Sequence, residues 1–488
     1  MPVSPLETNV YANWRLQCGE TFFLRESNSP LPERLLQVIW HHQRLLRDQL
    51  RTLDGRPVRV LHPGFWNHEA GPDFRAAVLQ IGDEAVKSGD VEIDLRSDGW
   101  KSHGHDGNPN FANVMLHVVW EPDGESGNDT PTLALKPFLD APINELSLWL
   151  GSDSAQKFPT NLFGQCCAPL RELAAEKLDE LLRQAAFVRF QRKANDLKAR
   201  AKQSGWEQAL WEGIFRALGY KQNIWPMQHL AELLGNAECE TPNSEISDVR
   251  VRRSAFSWQA WLFGVSGLLP TQPEETKNDS YLRSIWEIWW RERNSSSDLI
   301  FPKSLWRFNG IRPANLPQRR IALASHWLAD QSFFSKLENW FTNQDPDSAS
   351  VNSLLDLLQV EDNEFWSWHF TFRSVRLPQP QPMIGAARIS DLAINVILPW
   401  FWIRAVTGKN EELQKRAEKI YSAWPAAEDN AVLRLARQRL FGGTIAPRHL
   451  RTASAQQGLM QIVRDFCEHS NAICAECRFP DLVRGLKL

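Results

Sequence analysis

Charged and apolar residues alternate over residues 91–96, and this segment carries the side chains best suited to chemistry. The alternation predicts a β-strand in which Glu92, Asp94 and Arg96 share one face of a sheet. Asp73 opens the predicted strand that precedes it. An acidic pair on neighbouring strands beside a cation is the arrangement that a metal-dependent nuclease needs. The alternative is a solvated strand face on which Arg96 only neutralises Asp94.

The acidic residues predict a site for a hard divalent cation. Mg²⁺ prefers carboxylate oxygens and keeps several of its waters, so we predict Asp73, Glu92 and Asp94 as ligands of Mg²⁺ or Mn²⁺. A bound water then serves as the nucleophile. Arg96, on the same predicted face, would stabilise the negative charge of the transition state.

Two further side chains are predicted to assist proton transfer. Glu33 begins the first predicted helix, and His103 lies in a polar loop together with His105. A His-x-His pair can ligate a transition metal or act on a leaving group. The alternative is that both histidines only cap or pack in an ordinary turn. His117 lies inside an apolar run, which favours a hydrogen-bonded core histidine.

A second candidate metal site lies near the end of the chain. Cys467, Cys474 and Cys477 have a C-x6-C-x2-C spacing, and a Cys-x2-Cys pair lets two thiolates reach one metal. His469 would complete a structural zinc site. An iron–sulfur cluster completed by a distant cysteine is the alternative, as are three reduced thiols on a terminal helix. The candidates for that distant cysteine are Cys18, Cys166 and Cys167.

A basic segment offers a candidate surface for nucleic acid. The guanidinium groups of Arg312, Arg319 and Arg320 suit phosphate oxygens. The alternative is that Pro313 and Pro317 mark the start of a helix and that the arginines pair with local acids.

Composition limits the class of protein. The formal net charge of the 488 residues is −3, so nucleic-acid binding would need a local patch rather than a global basic field. The N-terminus does not read as a signal peptide, and the apolar stretch 392–403 is too short to span a membrane. Seven cysteines, an odd number with a cluster late in the chain, do not resemble a secreted disulfide framework. We therefore expect a cytoplasmic protein with no membrane partner.

The elements around these residues predict an α+β fold. A helix at 32–50 precedes strands, and the apolar run 114–120 predicts a central strand buried on both faces. These elements predict an α/β sandwich over residues 1–150, an α-helical domain over 168–450 and a helical tail with the cysteines over 451–488. The other strands are predicted at 58–61, 74–81, 91–96 and 133–136, and the later helices at 170–202, 206–219, 226–235, 254–267, 281–293, 316–329, 331–342, 389–407 and 410–440.

Over nearly its full length the chain resembles a bacterial family known only as a domain of unknown function. The stretches that carry the resemblance are 62–67, 70–74, 89–94, 97–100, 103–105, 113–120, 217–220, 312–320 and the late cysteines.

The first region also resembles, more loosely, the PD-(D/E)xK nuclease core. Pro72-Asp73 matches the first element of that motif and Glu92 its second acidic residue. Asp94 stands where the motif has lysine, with Arg96 or Lys136 as substitutes, although Ala134 stands where an acid would precede Lys136. The resemblance implies a sandwich of the restriction-endonuclease-like type.

These observations predict a divalent-metal-dependent nuclease that hydrolyses phosphodiester bonds of DNA or RNA. The alternative is a catalytically degenerate adaptor that binds nucleic acid or protein and carries a structural metal site. The departure at the lysine position favours the alternative. Salt-sensitive binding without turnover would distinguish the two.

Overall fold

The structure is a computed structural model. It describes residues 9–15, 33–67, 71–102, 105, 108–122, 130–143, 146, 164–220, 222–234, 254–276, 279–293, 299–309, 311–343, 345–346, 351–360, 363–428, 431–443, 445, 447–467 and 477–486.

A six-stranded mixed sheet forms the first part of the fold. Its strands are β1 (Val58–His62), β2 (Phe65–Trp66), β3 (Phe74–Ile81), β4 (Lys87–Asp94), β5 (Val114–Val119) and β6 (Thr132–Ala134). The order across the sheet is β1-β3-β4-β5-β6, with β2 paired to β3. β1, β2 and β4 run antiparallel to β3, whereas β5 runs parallel to both β4 and β6.

One face of the sheet packs against a helix, α1 (Glu33–His42). Leu36 and Ile39 of α1 share a buried hydrophobic cluster with Val91 and Ile93 of β4. Glu33 in the first turn and two histidines in the last turn complement the helix dipole. Because side chains alternate along a strand, Glu92 and Asp94 face away from this cluster.

The opposite face of the sheet lies under the described residues of the segment 99–111, which are 99–102, 105 and 108–111. This segment begins with the short helix α2 (Gly99–Ser102) and ends in a single helical turn, Pro109–Phe111. Trp100 is buried there, and its ring lies 5.5 Å from that of His117 on β5. The acidic residues of β4 therefore lie between the sheet and this covering segment.

The predicted strands agree with the structure at most positions. β3 has the predicted bounds, and β5 lies between two parallel neighbours as expected for a buried central strand. Several details were wrong, including the start of β4 at Lys87 rather than at Val91 and the end of β6 at Ala134 rather than at Lys136. β4 ends at Asp94 rather than at Arg96, and the predicted loop 62–71 contains the short strand β2. The predicted first helix is also shorter and ends at His42.

The rest of the chain is mostly helical, which confirms the α+β class. The predicted helix 410–440 is wrong as a single element because it forms two helices, and the helix Val351–Leu358 was not predicted. The helices are α3 (Cys167–Arg171), α4 (Ala175–Ser204), α5 (Trp206–Leu218), α6 (Ile224–Glu232), α7 (Ala255–Val265), α8 (Ser280–Glu292), α9 (Pro317–Ala329), α10 (Phe333–Asn343), α11 (Val351–Leu358), α12 (Ala386–Leu392), α13 (Leu398–Thr407), α14 (Glu411–Ala423), α15 (Ala431–Phe441), α16 (Ala453–Phe466) and α17 (Phe479–Gly485).

Two compact units divide the chain. The first combines Met1–Ala199 with Tyr421–Leu488, and the second is Arg200–Ile420. In the first unit, α4, α15, α16 and α17 contribute to one hydrophobic cluster. The segments predicted from the sequence, 1–150, 168–450 and 451–488, follow chain order and stay a prediction.

One helical stretch, Ala386–Thr407, has the length and apolar composition of a membrane span. It comprises α12, a π-helical turn (Ala393–Ile397) and α13. However, 78% of its most apolar window is buried inside the protein, as is common for a core helix. The predicted absence of a membrane partner stays a prediction.

Candidate functional site

Asp73 and Glu92 meet at the start of β3. The backbone N–H of Asp73 donates to Oε2 of Glu92 at 3.0 Å. Oδ2 of Asp73 in turn accepts from the backbone N–H of Ile93 at 3.1 Å. The pairing of Phe74 with Val91 creates this exchange because it places the residue before β3 opposite Glu92. The two predicted acids are therefore neighbours.

Helix α1 adds a third carboxylate to the same end of the sheet. The amide of Gln37 donates to Oδ1 of Asp73 at 2.9 Å and to Oε1 of Glu33 at 3.3 Å. Glu33 and Gln37 are four residues apart, so they share one face of the helix. Gln37 thereby links the half-buried Glu33 to the acids of the sheet.

Asp94, the fourth acid, is held from the neighbouring strand. Its Oδ2 lies 2.9 Å from Nε2 of His117, which is fully buried on β5. The backbone of Gly99 approaches closely, since a Cβ at that position would lie 2.6 Å from Cγ of Asp94. Only glycine leaves room for the carboxylate, so the covering segment packs directly against Asp94 at Gly99.

His105 brings an imidazole to the acids. Its Nε2 lies 3.2 Å from Oε1 of Glu92. The ring stacks on Phe111 with centroids 3.9 Å apart, and Trp100 meets it edge-on at 5.4 Å. These aromatic contacts fix the ring plane, so the direction of Nε2 is set by packing on both sides.

Burial and mutual repulsion change the protonation of the acids. Burial raises the pKa of Asp73 to about 7, and the charge of Glu33 adds to the rise. Burial likewise raises the pKa of Glu92 to about 9, and the charge of Asp73 adds to it. Within the described part of the chain, neither acid forms an ion pair with a lysine or arginine. At neutral pH this pocket therefore favours a bound proton or a bound cation.

Three of these side chains have the geometry to hold one cation. Glu92, Asp94 and His105 each offer a ligand atom, and these atoms lie within 4.8 Å of one another. Two carboxylates and one imidazole are a donor set that suits Mn²⁺ and other first-row metals, while the carboxylates alone suit Mg²⁺. Asp73 is not one of these three, but its backbone N–H donates to Glu92.

Comparison with known proteins defines the family. A family model described as "Protein of unknown function (DUF2851)" matches residues 33–431 of the 488. The chain belongs to the DUF2851 family. No curated protein and no solved structure matches it. The predicted membership in a domain-of-unknown-function family is thereby confirmed, and every acid of the pocket lies within the DUF2851 match.

Arg96 is not part of the pocket of this DUF2851 chain. The prediction placed it on the face of Glu92 and Asp94, but β4 ends at Asp94 and the alternation ends with it. Its side chain is 65% exposed and lies 3.5 Å from Asp98. The other substitute, Lys136, pairs with Glu121 on the surface. His103 lies outside the described residues.

Two of the three arginines predicted to bind nucleic acid are core residues. Arg319 is fully buried and donates to the carbonyls of Gln381 and Pro382, at 2.6 and 3.2 Å. Arg320 is 3% exposed and donates to the carbonyl of Met383 at 2.7 Å. The prediction of a phosphate contact was therefore wrong for both. Arg312 is exposed, and its role stays a prediction.

The cysteine tail is described only in part. Cys467 is buried at the end of α16, and Cys477 is half-buried just before α17. Both belong to or border the hydrophobic cluster of the first unit. Cys474 and His469 lie outside the described residues. The zinc or iron–sulfur site thus stays a prediction, and all four positions lie beyond the DUF2851 match.

Several residues of the pocket have only weak signals in the sequence. Gln37 could have been found from its four-residue spacing to Glu33 on an apolar helix face. His105 lies in the predicted polar loop, but only the fold shows that its imidazole reaches Glu92. Nothing in the local sequence marks Gly99 as the residue that makes room for Asp94, because that contact depends on how the covering segment folds over the sheet.

Proposed function

We propose that this protein is a divalent-metal-dependent nuclease that hydrolyses phosphodiester bonds of DNA or RNA. One observation carries the proposal, namely the cluster of Glu92, Asp94 and His105, whose ligand atoms lie within 4.8 Å of one another. Buried carboxylates with raised pKa values are costly unless an opposite charge accompanies them. A divalent cation is the opposite charge that this donor set selects.

The residues divide into binding and proton-handling groups. Glu92, Asp94 and His105 would hold Mg²⁺ or Mn²⁺, with Asp73 beside them. The bound ion would lower the pKa of a water and offset charge on the scissile phosphate. His117 fixes the orientation of Asp94 through their hydrogen bond. Glu33, half-buried at the start of α1, is placed to hold or release a proton at the edge of the pocket.

The order of elements supports the same proposal. A helix precedes an antiparallel strand set, and a parallel strand follows the strand that carries the acids. Asp73 and Glu92 occupy the positions that the resemblance to the PD-(D/E)xK core assigns to the two acids. We extend that resemblance to a restriction-endonuclease-like type of sandwich as part of the proposal.

The test is turnover by the full chain. We would incubate it with linear, circular and single-stranded DNA and with RNA, in Mg²⁺, in Mn²⁺ and in EDTA. Glu92→Gln should lower the rate by a factor of at least about 100, because loss of a ligand commonly costs that much. Glu84→Gln is the matched control, since Glu84 pairs with Lys87 on the surface of the same hairpin. Absence of cleavage in every metal, or equal rates for Glu92→Gln and the control, contradicts the proposal.

A second candidate function is an adaptor that binds nucleic acid without cleaving it. The position that should carry lysine is Asp94, whose carboxylate is engaged by His117, and the predicted substitute Arg96 faces solvent. The absence of a lysine at this position favours a protein that binds nucleic acid but no longer cleaves it. Salt-dependent binding with no product in any metal would support this candidate over the nuclease.

A further inference from the structure

Arg75 lies on the face of the sheet that carries the acids. It follows Phe74, which is fully buried on the opposite face against Val91. Its partner in register on β2 is Phe65, which is 42% exposed. Arg75 is itself exposed. Because neighbouring strand residues point to opposite faces, Arg75 and Glu92 point to the same one.

The guanidinium of Arg75 lies beside Gly71, just before Asp73 in the chain. Its Nη2 is 3.0 Å from the point that a Cβ on Gly71 would occupy, two residues before Asp73. That same point is 3.7 Å from the amide nitrogen of Asn67 and 3.8 Å from Cβ of Asn110. Asn110 belongs to the segment that also carries His105. Arg75, the amide of Asn67 and Cβ of Asn110 therefore surround Gly71.

A β-bulge places Arg75 there. Phe74 pairs with Val91 and Ala77 with Gly89, so β3 has one more residue than β4 between these two pairs. Ala76 takes up the extra residue with a φ of +53°, a conformation rare for a residue with a side chain. Oδ1 of Asp90 accepts from the backbone N–H of Ala76 at 3.0 Å and holds the bulge. Bulges commonly redirect a side chain beside a functional site.

Another arginine near the pocket points elsewhere. Arg34 stacks on Trp66 at 4.1 Å, and Trp66 lies on the buried face with Phe74. Its guanidinium is thus held on the helix side of the sheet. The face of Glu92 and Asp94 receives Arg75 instead.

We propose that Arg75 binds a phosphate of the nucleic-acid backbone next to the scissile one, and that Asp90 positions it by holding the bulge. The inference rests on the proposed nuclease function and supplies the cation that Arg96 does not. Guanidinium groups form two parallel hydrogen bonds with phosphate oxygens. An exposed arginine at the entrance also offsets the repulsion between an incoming phosphate and the acids.

The test separates substrate binding from metal binding. Affinity for a fluorescein-labelled oligonucleotide would be measured by anisotropy in a Glu92→Gln background, with kcat and KM measured in the otherwise unchanged enzyme. Arg75→Gln should weaken oligonucleotide binding and raise KM about tenfold, and lower the slope of log Kd against log salt by about 1. Arg75→Lys should recover part of the loss. Mn²⁺ binding by calorimetry, with Glu92 intact, should stay unchanged in Arg75→Gln.

Arg51→Gln is the matched control, because Arg51 is exposed in the same unit and its guanidinium donates to the carbonyl of Gly55. Asp90→Ala should repeat the effect of Arg75→Gln, whereas Asp90→Asn keeps an oxygen acceptor and should not. The inference is overturned if Arg75→Gln matches Arg51→Gln in an active enzyme, or if it loses Mn²⁺ binding as well. A wild-type protein that neither binds nor cleaves nucleic acid overturns the nuclease proposal itself.

Discussion

The acid pocket of the sheet and the arginine pair of α9 both bury charges of one sign, but they resolve the cost differently. Arg319 and Arg320 donate to three successive backbone carbonyls, those of residues 381–383. Asp73 and Glu92 receive backbone N–H groups, yet the pKa of each remains raised. Backbone carbonyls accept from part of the arginine N–H groups, although Nε and Nη1 of Arg319 and Nε of Arg320 have no hydrogen-bond partner among the described residues. The acids, in contrast, still favour a positive partner.

The pKa values of Arg319 and Glu92 explain why only the acid pocket favours a bound ligand. Burial and the neighbouring Arg320 lower the pKa of Arg319 to about 10, which leaves the guanidinium charged at neutral pH. Burial raises the pKa of Glu92 to about 9, which leaves that carboxyl protonated at neutral pH unless a cation displaces the proton. The carbonyls that accept from Arg319 are part of the fold and stay in place, whereas a cation can displace the proton on Glu92.

The largest effect is expected for removal of a buried arginine. Arg320→Ala removes hydrogen bonds to the carbonyl of Met383 and to Oδ1 of Asn315, both at 2.7 Å. Bonds of this charged type contribute about 1.5 to 3 kcal/mol each, so we expect a loss of about 3 kcal/mol in the free energy of unfolding. Urea denaturation measures it. Arg312→Ala, at an exposed position of the same segment, should change stability by less than about 0.5 kcal/mol.

This prediction tests the structural assignment of the pair directly. Arg320→Ala should leave oligonucleotide affinity unchanged wherever the variant is folded. A variant as stable as wild type but weaker in nucleic-acid binding would return Arg320 to the phosphate-binding role that the sequence first indicated.

In metal-free protein, substitution of an acid in the pocket should raise the free energy of unfolding, whereas Arg320→Ala lowers it. Because the folded state raises the pKa of Glu92, it binds that proton more tightly than the unfolded state does. The resulting stability is fully present below the ordinary pKa of 4.5 and is lost as pH rises towards about 9. Glu92→Gln removes this loss. We therefore expect the variant to exceed wild type by at least about 1.4 kcal/mol, the equivalent of one pKa unit, at high pH.

Thermal unfolding at about pH 4 and about pH 8.5, in EDTA, checks the sign. The gain of Glu92→Gln should disappear at the lower pH, and added Mn²⁺ should stabilise wild type more than the variant. Glu84→Gln provides the control, because pairing with Lys87 lowers the pKa of Glu84 and the carboxylate is exposed. A Glu92→Gln variant that is less stable than wild type at high pH would mean that the pocket does not repel its own charge.

The sequence predicted the sheet well because alternation and apolar runs are local signals. The pattern of β4 places Val91 and Ile93 in the core and Glu92 opposite them, and the structure confirms it. The bulge at Ala76 has no such signal, since alanine rarely adopts a positive φ and nothing near it in sequence indicates one. Its cause is the contact with Asp90 on the next strand.

The same distinction explains the errors at the arginines. Arg319 and Arg320 look basic and accessible in a segment that also contains two prolines, and the sequence cannot show that the carbonyls of 381–383 meet them. Arg96 looks aligned with Glu92 and Asp94, but the strand ends two residues earlier. Both errors concern long-range partners or element boundaries, which local patterns specify poorly.

The smallest effect is expected for substitution of Arg96. Strand alternation predicted Arg96 as the cation of the pocket, whereas the structure favours Arg75 beside the bulge. The Arg96 side chain is 65% exposed, and its contact at 3.5 Å is with the equally exposed Asp98. A surface pair of this kind contributes less than about 1 kcal/mol. Arg96→Gln should therefore leave kcat, KM and the unfolding midpoint close to the wild-type values, while Arg75→Gln raises KM. If Arg96→Gln instead reduced kcat with KM unchanged, a guanidinium beyond the end of β4 would act in the transition state. The cation that assists the acids would then be Arg96, in the segment that follows Asp94, and not Arg75 beside Gly71.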